Sequence, residues 1–153
     1  MAIEKVIIRD FAFEVDSVYP GAGGPSGTPV WVSVGGNTGM KSSEALKTVD
    51  VTDKDDAGHE AHLPSSRSKT FTIDLLWMED PSAGTRDPGQ ILVEALGSAV
   101  GTAGLGYFRV SSPGAGLFTF LASVKMTKLP GGDESAEGSY SMELKVSGLI
   151  AVA

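Results

Sequence analysis

At 153 residues the chain is long enough to bury one core unaided, and the absence of cysteine excludes disulfide frameworks, thiol nucleophiles and cysteine-bound zinc together. A net charge of -7, from 19 acids against 12 bases, argues against tight nucleic-acid binding, which relies on clustered Lys and Arg. No apolar run approaches the roughly 20 residues that span a bilayer and the start holds no signal-peptide core, so the expectation is a soluble, cytosolic product forming one domain over residues 1–153.

Alternation with period two recurs along the chain. Strands are expected at residues 3–9 and 11–15, with a bulge at Arg9 and Asp10 where the apolar phase changes, and then at 30–34 and 47–52. From 70 to 77 Phe71, Ile73, Leu75 and Trp77 point one way and Thr70, Thr72 and Asp74 the other, as a half-buried strand requires. Trp31 and Trp77 are expected to be buried. Asp87 as N-cap, Pro88 at the first helical position and Gln90 in the first turn open one helix over 88–99. Its inward face is expected to be Ile91, Leu92, Ala95, Leu96 and Ala99. A strand at 105–111 follows. Residues 117–127 and 139–149 then form an antiparallel pair, separated by turn chemistry at 129–138. The whole reads as a mainly β, α+β domain: an antiparallel sandwich or barrel with one flanking helix.

Chemistry-bearing patterns are sparse. Residues 53–58 place Asp53, Asp55 and Gly58 as a calcium loop would, but Ala57 fills the fifth position and Pro64 the twelfth, where a bidentate Glu is needed. His59, Glu60 and His62 lie close together without the spacing that puts two imidazoles on one helical face. No nucleophile elbow or phosphate loop is present. The reading is a non-enzyme with no metal and no cofactor. The other two readings are a sandwich module that binds a carbohydrate or protein through its loops and, behind it, a metal-dependent hydrolase using His59 and His62.

The order of parts carries a resemblance. Residues 46–60 run Leu-Lys-Thr-Val-Asp-Val-Thr-Asp-Lys-Asp-Asp-Ala-Gly-His-Glu, and residues 63–74 follow as Leu-Pro-Ser-Ser-Arg-Ser-Lys-Thr-Phe-Thr-Ile-Asp, then one helix and a closing strand pair. This resembles the major tail tube proteins of long-tailed bacteriophages, with Ser65 where the family has a turn glycine. The resemblance implies a virion protein, assembled in the host bacterial cytoplasm, whose hexameric rings stack into a tube. Its partners would be further copies of itself, the tape measure protein, the tail terminator and the distal tail proteins. DNA would pass through the lumen without specific binding, and no membrane is involved.

The same resemblance makes the long polar loop at 53–66 an inter-ring contact, with Asp53, Asp55, Asp56, His59, Glu60 and His62 as candidates. For the channel wall the alternation offers Thr72, Asp74, Glu143 and Lys145, expected to give a net negative surface that repels DNA phosphates.

Overall fold

The computed structural model describes residues 11–21, 23–53, 57–112, 117–131 and 138–152. The strand expected at 3–9 and the bulge at Arg9 and Asp10 lie outside them. The elements are β1 (Ala12–Asp16), β2 (Trp31–Ser33), β3 (Asn37–Asp50), β4 (His62–Leu76), β5 (Glu79–Asp80), β6 (Thr85–Arg86), helix α1 (Pro88–Ser98), a 3-10 turn (Gly101–Gly104), β7 (Leu105–Ser111), β8 (Leu117–Gly131) and β9 (Ser139–Val152). Seven strands form one antiparallel sheet in the order β2-β1-β7-β8-β9-β4-β3, and β5 and β6 make a separate short hairpin. The fold is mainly β with one flanking helix.

Connectivity forces this sheet to curl. Its two edges, β2 and β3, are consecutive in the chain and joined by residues 34–36 alone. Six interstrand gaps of about 4.8 Å would separate the edges of a flat sheet by roughly 29 Å. The link from Ser33 to Asn37 reaches at most about 14 Å. The β2 and β3 edges must therefore approach one another at this end, wrapping one face of the sheet inward. That face supplies the core: Phe13 and Val15 of β1, Ile73 and Leu75 of β4, Phe108 and Val110 of β7, Phe120 and Ala122 of β8, and Tyr140, Met142 and Leu144 of β9. Ring contacts link distant strands, with Phe13 and Phe108 centroids 5.5 Å apart, Phe108 and Phe120 5.9 Å, and Phe71 and Phe120 4.9 Å. Each fully buried ring contributes about 1.5–3 kcal/mol.

The helix closes the open end of the wrap. Asp87 caps it by accepting from Gln90 N at 2.9 Å, and its carboxylate also accepts from Gly35 N at 3.2 Å. Gln90 does more than cap. Fully buried, its amide donates to Gly35 O at 2.9 Å and Leu76 O at 2.7 Å, while its Oε1 accepts from Met78 N at 3.3 Å. These bonds pull the first turn onto the link between the edges and fix the helix rotation. The inward face is consequently Gly89, Gln90 and Val93, with Leu92 and Leu96 partly buried against the core. Ile91 and Ala95, expected to face inward, are exposed, Ile91 at 47%. A Cβ on Gly89 would collide with Ser33 O, so only glycine permits this approach.

Asp16 organises the loop between β1 and β2. Only 3% exposed, its carboxylate accepts from Val18 N at 3.0 Å, Gly24 N at 2.6 Å and Val30 N at 3.1 Å. Asp16→Ala leaves three backbone donors without their acceptor and is expected to cost about 3 kcal/mol. Urea denaturation checks this, and a loss below about 0.5 kcal/mol contradicts the assigned role.

Candidate assembly surfaces

β3 and β4 outrun the rest of the sheet. The β4–β9 ladder ends at Thr70 and Lys145, whereas the β3–β4 ladder continues from Ser43 and Thr70 to Asp50 and His62. The seven residues of β3 beyond Ser43 thus project as part of a two-stranded arm of about 23 Å. Every residue from Lys41 to Asp50 and from His62 to Lys69 is exposed. The expected loop at 53–66 is therefore shorter in fact, because His62 to Ser66 already lie in β4. Leu63 and Pro64 do not turn the chain. They pair with Val49 and Thr48, and Ser65 is accommodated as a bulge, its hydroxyl donating to Lys47 O at 3.1 Å.

Local polar contacts tie the tip. Val51 N donates to Ala61 O at 2.9 Å, and Thr52 Oγ1 accepts from Ala61 N at 2.9 Å. Asp50 accepts from Thr52 through its hydroxyl at 2.5 Å and its N–H at 2.9 Å. The Thr52 hydroxyl, then its N–H, hold the Asp50 carboxyl below the usual range. That contribution to the turn is present above the ordinary carboxylate pKa and fades as pH falls through the lowered value. Arg67 at 2.6 Å likewise lowers the Glu44 carboxyl.

Of the six residues proposed for the tip, Asp55 and Asp56 lie outside the described residues. His59 is exposed, and Glu60 lies 3.2 Å from His62, which belongs to β4. Among the described residues no three His, Asp or Glu side chains gather as a metal site. Sequence reading missed the apolar character of the arm. Leu46, Val49, Val51 and Leu63 are 48%, 51%, 42% and 58% exposed, and Val49 sits directly opposite Leu63. A two-stranded ribbon gains little stability alone in water, and these apolar side chains stand exposed on it.

The second surface is the sheet face turned away from the core on the four long strands. Thr72, Asp74, Glu143 and Lys145 all lie on it. One row runs Lys125, Glu143, Thr72, Lys41 across β8, β9, β4 and β3; the next runs Ser123, Lys145, Thr70, Ser43. Asp74 accepts from the Ser141 hydroxyl at 2.7 Å. Lys41, Lys125 and Ser141 also lie on this face and were not singled out from the sequence.

At the other end of the sheet, Arg109 of β7 donates to Glu14 at 2.6 Å and lies 4.6 Å over the Trp31 ring, which meets Tyr107 at 5.1 Å. Trp77 is partly buried beneath Arg86, whose guanidinium lies 3.6 Å from the ring centroid and makes two bonds to Glu94, at 2.9 and 2.6 Å. Both tryptophans are thus half-buried cation–π partners, where full burial was expected. A cleft of about 490 Å³ between the arm root, the start of β8 and the end of β9 is lined by Phe71, Phe118, Ile150 and Val152 with Glu44 and Lys69.

No protein-family model matches this chain, and no curated protein matches it by sequence. Solved structures do match. A chain in the virion of a native gene transfer agent particle superposes with a TM-score of 0.63 at 15% identity, over 96% of this chain and 98% of that one. A chain in the tail of an empty gene transfer agent particle, computed with C6 symmetry, gives 0.64 at 17% identity over 96% and 98%. The fold is shared with chains of tail assemblies. The sheath-tube complex of an extracellular contractile injection system gives 0.58 at 13% identity, over 97% of this chain and 93% of that chain. The tail tube fold implied by residues 46–74 is thus the fold observed.

Proposed function

We propose that this chain is a structural tail subunit that polymerises as stacked hexameric rings into a tube and acts as a conduit for DNA ejection, without catalysis. The observation that carries the reading is the projecting arm on a fold shared with multi-subunit tail assemblies, one of them sixfold symmetric. A tube needs a heterologous contact that closes by rotation and a second one along the axis. The arm, with its exposed Val49 and Leu63, serves the axial contact. The 14-residue β3 is an edge strand, and among the described residues nothing pairs with its outer side. Such an edge invites addition of a neighbour's strand and suits the lateral contact, with the adjoining apolar cleft. On this reading Thr72, Asp74, Glu143 and Lys145 line the channel and Asp53, His59, Glu60 and His62 meet the next ring. Tape measure, terminator and distal tail proteins would then cap or fill the tube in the virion.

Negative-stain electron microscopy of the concentrated pure protein tests this. Hollow tubes with sixfold rings in cross-section are expected, and particles that remain monomeric at every concentration refute the reading.

A further inference from the structure

The charges on the face assigned to the channel do not follow the chain's acidic balance. Five lysines have described side chains, and four of them, Lys41, Lys47, Lys125 and Lys145, project from this one face of the long strands; Lys69 is on the opposite face. The same face carries two carboxylates, Asp74 and Glu143. The expected net negative wall is thus reversed on the described residues, because other described carboxylates fall elsewhere: Glu44 on the opposite face of β3, Glu14, Asp16, Glu79 and Asp80 outside the four long strands, and Glu94 on the helix. The three described arginines, Arg67, Arg86 and Arg109, are all held by carboxylates. Among the described residues none of the four lysines is in an ion pair. Around them the lining is hydroxyl-rich: Ser43, Thr70, Thr72, Ser123 and Ser141.

We propose that this face is a low-affinity contact surface for the phosphate backbone of double-stranded DNA, which travels along it through weak, exchangeable lysine and hydroxyl contacts. The proposal rests on the tail tube reading for its setting and on the lysine pattern for its chemistry. Backbone phosphates are contacted by Lys, Ser and Thr without shape-specific pockets, and each neutralised phosphate releases a counterion. An acidic protein would need apolar or aromatic anchors at the centre of its interface, and among the described residues between these lysines the face offers only Ala45 and Leu121. Asp74 and Glu143, interleaved with the lysines, keep each contact weak, as sliding requires.

The test is fluorescence anisotropy of a labelled duplex of about 30 base pairs against the soluble full-length chain, between about 50 and 200 mM salt. Wild-type protein is expected to bind weakly and to release the duplex as salt rises. Lys41→Ser combined with Lys125→Ser and Lys145→Ser should weaken binding at least about tenfold at the low salt and lower the log–log salt slope by about 2 to 3. Lys69→Ser should bind as wild type, and circular dichroism should show every variant folded. Unchanged binding by the triple variant, an equal loss in Lys69→Ser, or a polyglutamate peptide bound as tightly as the duplex each overturns the proposal. Microscopy of the same samples separates the two ideas: tubes that form with no duplex effect remove the contact surface alone, whereas a lysine-dependent duplex effect without tubes removes the tail tube reading alone.

Discussion

Replacing residues 46–67 by Asn-Gly is expected to abolish tube formation completely while leaving a folded monomer. Ala45 and Ser68 are directly opposed in the β3–β4 ladder, and Asn-Gly is the two-residue link that closes such a pair without splaying the strands. The deleted arm is exposed at every described residue but Ala61 and contributes none of the buried core, so the melting temperature should move by no more than a few degrees. What it removes is the apolar pair Val49 and Leu63 together with Leu46 and Val51, the exposed side chains that assembly would bury. A milder form, Val49→Asp with Leu63→Asp, should raise the concentration needed for tubes at least tenfold, about 1.4 kcal/mol or more per contact. Tubes of normal length from the shortened chain would show that the axial contact lies elsewhere.

How much of this was legible depends on what each residue's neighbours are. Strands buried on one face announce themselves: Phe71, Ile73 and Leu75, and the Phe120 to Met126 and Tyr140 to Leu144 alternations, all lie where period two puts them, and residues 105–111 match β7. The first half of β3 was invisible because Thr-Gly-Met-Lys-Ser-Ser-Glu-Ala has almost no apolar alternation. It is strand because β4 pairs with it, and pairing does not show in one segment's own sequence. Missing it hid Lys41 and made the arm look like a loop. Leu63-Pro64-Ser65 reads as a turn by composition, yet the strand absorbs it with one bulge, and Pro64 is tolerated in the arm because the pairing of β4 with β9 has already ended there. The tryptophans were misjudged for a related reason: an indole can be covered by a guanidinium as well as by a core, and Arg86 and Arg109 reach them only in the folded chain. Helix α1 was placed correctly in sequence and wrongly in rotation, since periodicity favoured Ile91 and Ala95 and could not reveal the partners of Gln90.

Those partners carry a stability effect as large as that expected at Asp16. Gln90 joins its helix to two chain segments that must meet for the sheet to wrap: Gly35 in the link between the edges, and Leu76 at the end of β4 with Met78 just beyond it. Gln90→Met keeps the length and most of the volume, so little cavity forms, but it leaves two carbonyls and one N–H without partners in a site where the native side chain is fully buried. At about 1 kcal/mol or more for each group, the expected loss is about 3 kcal/mol, or roughly 10 °C in melting temperature for a chain of this size. Leu92→Ala provides the comparison: Leu92 is only partly buried, and its loss should fall at the low end of the leucine range, about 2 kcal/mol. Thermal melts of both variants at neutral pH settle the order. Gln90→Met within about 0.5 kcal/mol of wild type would show that the helix is held by apolar packing alone, and that its rotation follows from Val93 rather than from the buried amide.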